Sequence, residues 1–158
     1  MQPLLNWQPT LPLGLSEKQQ WLAAQPSLTA ALKSLDEPFS VRLLHLGLSE
    51  RGVWFSDKLF PDEVFARDVL LCLSGKPVVW ARSVCHCDDV RWREVLDCGT
   101  QPLGERLFDG TLPLARSPLE FCAGGGMVSP HDGLPMWALR RSVFDLNGNK
   151  LGLVECFL

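Results

Sequence analysis

The chain has 158 residues, of which 46% are hydrophobic and 21% charged, with a formal net charge of −3 and a pI near 5.6. This composition excludes a disordered or low-complexity chain and suits a single domain over residues 1–158 with a sizeable core. It lacks the basic face that nucleic acid requires, and no apolar run reaches the roughly 18–20 residues of a membrane helix.

Met1 to Pro9 has neither a basic segment nor a continuous apolar stretch, so no signal peptide is expected and the reading is cytoplasmic. The six cysteines are then expected as reduced thiols. Cys85-His86-Cys87 has the wrong spacing for a zinc knuckle and no second ligand pair, so no metal is expected there.

In chain order, a proline-punctuated lead-in gives way to Ser16 and Gln19 at capping-box spacing, opening a short helix with Trp21 and Leu22 on its apolar side. Pro26 ends it, and Ser27 caps a second helix over 28–35. The pair has a helix–turn–helix outline but almost no basic charge, which argues against DNA binding. Strands follow over 39–48, 64–73 and 77–84, with a turn and a short strand ending at Trp54-Phe55 between the first two. Ser74-Gly75-Lys76 reads as a hairpin connection. Helical turns are expected over 89–96, capped by Asp88 or Asp89, and from Thr100, with Pro102 just inside, through Phe108. A strand over 119–123 stops at Gly124-Gly125-Gly126, and strands over 136–146 and 150–158 bracket Asn147-Gly148-Asn149, the strongest hairpin signal in the chain. The pattern is α+β: an antiparallel β-sheet with short helices.

Two charges stand where the pattern disfavours them. Leu151 to Leu158 is apolar apart from Glu155 and Lys-free, as in a strand buried on both faces, so this carboxylate needs a partner or a function. Arg67 sits in the similarly apolar run Val64–Leu73, and its neighbour Asp68 points to the opposite face. A buried acid and a buried base on separate strands suit a ligand carrying a carboxylate and a hydroxyl. The glycine run lacks the lysine of a phosphate loop, and the three histidines have no nucleophile context. Arg140-Arg141 is expected to place one side chain on each face, one of them in solvent, and the six tryptophans read as core.

Several segments together, in order and spacing, resemble the chorismate lyase (chorismate pyruvate-lyase) family. They are Trp21-Leu22 with Ser27-Leu28-Thr29; Arg67-Asp68-Val69-Leu70-Leu71-Cys72 with Gly75 and Pro77; Ala81-Arg82; Thr100-Gln101-Pro102-Leu103-Gly104; Leu107-Phe108; Trp137 with Arg140-Arg141-Ser142; and Glu155-Cys156-Phe157-Leu158. The resemblance covers about Trp21 to Leu158 and implies an antiparallel sheet closing a ligand pocket under helical flaps. It implies Arg67 as the grip on the ring carboxylate, the Leu103 backbone amide as its helper, and Glu155 facing the ring hydroxyl. Leu28 stands at a flap position where the family has methionine. The implied reaction converts chorismate to 4-hydroxybenzoate and pyruvate in ubiquinone biosynthesis, without a cofactor. A monomer with no metal and no nucleic-acid partner is expected. The alternative is a non-catalytic aromatic-acid binder related to the effector domains of transcription regulators. Such a chain would carry a basic domain ahead of the sheet.

Overall fold

The computed structural model describes residues 5–158. The first four residues of the lead-in, used above for the leader-peptide reading, lie outside them.

Four helices and seven strands follow one another as α1 (Glu17–Ala24), α2 (Leu28–Lys33), β1 (Phe39–Glu50), β2 (Glu63–Leu73), β3 (Lys76–Cys85), α3 (Val90–Leu96), α4 (Leu103–Phe108), β4 (Leu114–Arg116), β5 (Glu120–Ala123), β6 (Ala138–Leu146) and β7 (Asn149–Phe157). Two tight hairpins organise the sheet. Ser74 and Gly75 (φ 49° and 76°) and Asn147 and Gly148 (φ 52° and 91°) are left-handed, the backbone that two-residue turns matching strand twist require. Lys76 therefore belongs to β3, paired with Leu73, rather than to the turn.

All pairings are antiparallel, in the order β1-β2-β3-β7-β6-β4, with β5 also on β6. β7 thus runs through the interior of the sheet between β3 and β6, which accounts for its apolar sequence. Because paired residues share a face, the register writes two rows across the sheet. One is Val69, Ala81, Glu155, Arg140; the next is Arg67, Ser83, Leu153, Ser142.

The face bearing these rows is covered by the helices. Ala23, Leu28 and Leu32 pack on Val69, Ala81 and Phe157, and Trp92, Leu96, Leu103 and Leu107 pack on Phe144 and Leu153. The opposite face is closed by the 51–62 loop, whose Trp54, Phe55 and Phe60 pack with Leu70, Trp80, Val154 and Cys156. No short strand ends at Trp54-Phe55: β1 continues to Glu50, and these aromatics are anchors of an irregular segment.

The capping box of α1 is formed reciprocally by Ser16 and Gln19, and Ser27 caps α2 through the Ala30 amide at 3.2 Å. Asp89, not Asp88, caps α3. α4 opens two residues later than expected: Pro102 and not Thr100 is the cap, without a side-chain bond. Trp54, Trp80 and Trp92 are buried, but Trp21 is 41% exposed, so not every tryptophan is core.

Candidate functional site

The cavity between the helix-covered face and helices α2 and α4 holds about 480 Å³ of empty space, part of it open to solvent. Arg67, Glu155, Leu28 and Leu103 all line it, although 127 residues separate Leu28 from Glu155 along the sequence. The register explains the gathering: Arg67 on β2 and Glu155 on β7 flank β3 on the same face, one row apart.

Arg67 is 2% exposed. Its Nη2 donates to the carbonyls of Gly99 (3.1 Å) and Gln101 (3.0 Å), tying β2 to the segment that leads into α4. Its Nε is buried and has no partner, a donor whose desolvation is uncompensated until an acceptor arrives. Burial lowers the guanidinium pKa and nearby Cys98 raises it; an arginine so placed stays cationic at neutral pH.

Glu155 is 6% exposed and its carboxylate has a partner that sequence reasoning missed. Arg140 Nε donates to Glu155 Oε1 at 2.8 Å. Arg140 is fully buried, and its Nη1 donates to the carbonyls of Ala23 (2.8 Å) and Gln25, with Nη2 3.5 Å from the Pro26 carbonyl. The expectation that one of Arg140 and Arg141 lies in solvent is therefore corrected. Arg141, on the other face, holds Glu120 (3.1 Å) and the Trp54 carbonyl (2.7 Å) and stacks on Trp7. The signal was available: a two-residue Asn147-Gly148 turn pairs Leu146 with Asn149, and counting outward sets Arg140 opposite Glu155.

A third arginine was also missed. Arg116 lies on β4, three residues in a stretch with no readable period. It lines the cavity, donates from Nε to Ser142 Oγ (2.9 Å) and from Nη1 to the Pro26 carbonyl (2.6 Å), and lies over the rings of Phe108 and Phe144. Desolvation lowers its pKa to about 10, against the raising effect of Glu155.

Leu28 and Leu103 are the first residues of α2 and α4 and are 2% and 6% exposed, so each presents a helix start to the cavity. Ser27 already takes the Ala30 amide of α2, while the Leu28 and Leu103 amides, at the first helical positions, have no acceptor within their helices. The two helices touch where Gly104 meets Thr29: a Cβ at Gly104 would stand 2.8 Å from Thr29 Oγ1. Lys33 also pairs with Glu105 across the same contact.

Asp68, as expected, does not pair with Arg67. It faces the other side and takes Arg82 in a bidentate pair at 2.8 and 2.7 Å. Cys85 is buried, with burial pushing its thiol up to about 12, and Cys87 lies 3.4 Å from the Glu63 carbonyl.

A cavity with a carboxylate and unpaired arginine donors, roofed by two helix starts on an antiparallel sheet, is the candidate site of this α+β protein. The sequence model of one family, "Chorismate lyase", matches residues 4–158. The chain belongs to the chorismate lyase family. It is 31% identical to "Probable chorismate pyruvate-lyase 1" of Burkholderia pseudomallei, over 97% of this chain and 89% of that one. It is 34% identical to the "Probable chorismate pyruvate-lyase" of Aromatoleum aromaticum, over 87% and 82%. Among solved structures, a "possible transcriptional regulator" of Bacillus subtilis is similar with a TM-score of 0.48 and 10% identity, over 78% of this chain and 60% of that one.

Proposed function

We propose that the chain is a chorismate pyruvate-lyase, converting chorismate to 4-hydroxybenzoate and pyruvate at the cavity between α2, α4 and the sheet. The observation that carries this reading is the presence, in one cavity, of Arg67 with its unpartnered Nε and the Glu155 carboxylate. Arg67 grips the ring carboxylate through a planar, permanently charged donor set, and the Leu103 amide at the start of α4 adds a second donor. Glu155, at the other end of the ring, accepts the hydroxyl. Leu28 closes over the ring from α2, and a leucine preserves apolar contact where relatives of this family carry methionine.

The reaction is an elimination. The ether C–O bond breaks and its electron pair leaves with the enolpyruvyl oxygen. The C–H pair of the hydroxyl-bearing carbon becomes the new ring π bond. The released proton ends on the methylene carbon of the departing enol, giving pyruvate. Atoms and charge balance and nothing is oxidised or reduced, so the reading needs no redox carrier. Glu155 is placed to hold the hydroxyl and assist the proton's departure; Arg140 keeps that carboxylate fixed and charge-balanced, acting through it as a positioning residue. Exclusion of water and fixed geometry supply the rest. In this reading the protein acts as a cytoplasmic monomer at the entry to ubiquinone biosynthesis.

The test is incubation with chorismate in a metal chelator, following both products. Equimolar 4-hydroxybenzoate and pyruvate are expected. Binding of 4-hydroxybenzoate with no pyruvate released would instead establish a silent aromatic-acid binder of the regulator type.

A further inference from the structure

Arg116 has no part in the reading so far, yet it lines the cavity and has one nitrogen, Nη2, buried and unpartnered. The charge balance is incomplete without it. Among the described residues that line the cavity are two arginines, Arg67 and Arg116, and one carboxylate, Glu155, which Arg140 already neutralises from outside the lining. Two cations remain, Arg67 and Arg116, each with a buried N–H lacking an acceptor. The proposed substrate is a dianion, with one carboxylate on the ring and one on the enolpyruvyl side chain, whereas 4-hydroxybenzoate keeps only the first.

Placement along the sheet agrees. Arg67 stands on β2, Glu155 on β7 and Arg116 on β4, so Glu155 lies between the two arginines in strand order. β2 and β4 are four strand spacings apart, about 19 Å at the backbone, and both side chains reach one cavity. With the ring carboxylate on Arg67 and the hydroxyl on Glu155, the ether substituent next to the hydroxyl projects from the end remote from Arg67. That is the side from which Arg116 enters. Its plane is fixed by Phe108 and Phe144, 5.3 and 4.9 Å from the guanidinium carbon, and by Ser142 and Pro26. The guanidinium is thus held in one orientation, with Nη2 left over.

We infer that Arg116 is the residue that binds the carboxylate of the enolpyruvyl side chain, so that the cavity recognises a dicarboxylate by two arginines, one for each end. This rests on the lyase reading of the site. It makes Arg116 a residue for substrate and not for the aromatic product. Losing the second carboxylate with pyruvate leaves the product held at one end only.

The test compares two ligands by calorimetry in wild type, Arg116→Met and Arg116→Lys: 4-hydroxybenzoate, and its analogue bearing a carboxymethoxy group beside the hydroxyl. In Arg116→Met, affinity for 4-hydroxybenzoate should stay within about threefold while the dicarboxylate loses about tenfold or more, the scale of one charge-assisted hydrogen bond. Arg116→Lys should recover part of that loss. Equal losses for both ligands would show that Arg116 only supports the fold, and no loss for either would show that it does not face the second carboxylate; both overturn the assignment. Thermal melts of each variant accompany the titrations, and a melt lowered while the ligand ratio still changes supports the assignment. Wild-type protein that binds neither acid and releases no pyruvate from chorismate overturns the lyase reading and, with it, the role of Arg116.

Discussion

At the scale of single residues, the site is a set of buried charges whose balance depends on what each one touches. Arg67 makes two bonds to carbonyls and keeps Nε free. Arg67→Lys keeps the charge but loses the fork, so calorimetry with 4-hydroxybenzoate should show affinity weakened by about 1–3 kcal/mol. Unchanged affinity would remove Arg67 as the clamp. Glu155→Gln preserves size and can still meet Arg140, but it takes no proton. If Glu155 assists the proton's departure, kcat should fall by about 10²–10⁴-fold. The variant also leaves Arg140 buried without its counter-charge, a change that costs stability. Kinetics must therefore be read beside a thermal melt. Wild-type turnover in Glu155→Gln would leave only positioning to explain catalysis.

At the scale of elements, the contact between α2 and α4 forms the roof and the β6–β7 hairpin sets the register beneath it. Gly104→Ala places a methyl group 2.8 Å from Thr29 Oγ1. Alanine favours a helix by up to about 1 kcal/mol over glycine, so global stability should change little while α4 is pushed from α2. The expected reading is a raised KM for chorismate with a nearly unchanged melting temperature; an unchanged KM would show that the roof tolerates the shift. In the hairpin, Asp145 accepts from the Gly148 amide and Lys150 Nζ, both at 2.6 Å, and these contacts hold its carboxyl below the usual range. A depressed carboxyl stabilises the fold above its unfolded pKa of about 3.9 and loses that contribution as pH falls through the folded value. The melting-temperature gap between wild type and Asp145→Asn should therefore be full at neutral pH and shrink below about pH 4. A gap independent of pH would point to turn geometry instead of charge.

What was legible follows from the same elements. The two left-handed turns, the α1 capping box, the Ser27 cap and the apolar strand around Glu155 are local patterns, and the sequence displays them directly. Arg67 and Glu155 stood out because a charge in an apolar strand contradicts its surroundings. Arg140 is not marked by its own surroundings, since adjacent arginines look alike whether both are buried or one is in solvent; only the register counted from the Asn147-Gly148 turn sets it opposite Glu155. Arg116 was hidden because β4 is three residues long and held by pairing with β6, a tertiary effect without local period. The 51–62 segment was misread for a related reason: Trp54 and Phe55 look like strand residues, but they are buried by the sheet above them and not by partners of their own.

At the scale of the whole molecule, one sheet divides two chemistries. One face stacks Trp54, Phe55, Phe60 and Trp80 into an aromatic core, and the other carries the charged cavity under the helices. No helix among the described residues is long and apolar enough to cross a membrane. Arg67 and Glu155, only 2% and 6% exposed, lie beneath the α2–α4 roof and largely out of water. The measurement that tests the account most directly is a crystal structure of the protein with 4-hydroxybenzoate. The account predicts density in the cavity between α2, α4 and the sheet, with the carboxylate in hydrogen-bonding range of Arg67 Nε and the Leu103 amide, and the hydroxyl at Glu155. Density in another cleft, such as the one between the N-terminal lead-in and Phe121–Met127, or a ligand bound in the cavity without contact to Arg67 and Glu155, would contradict it.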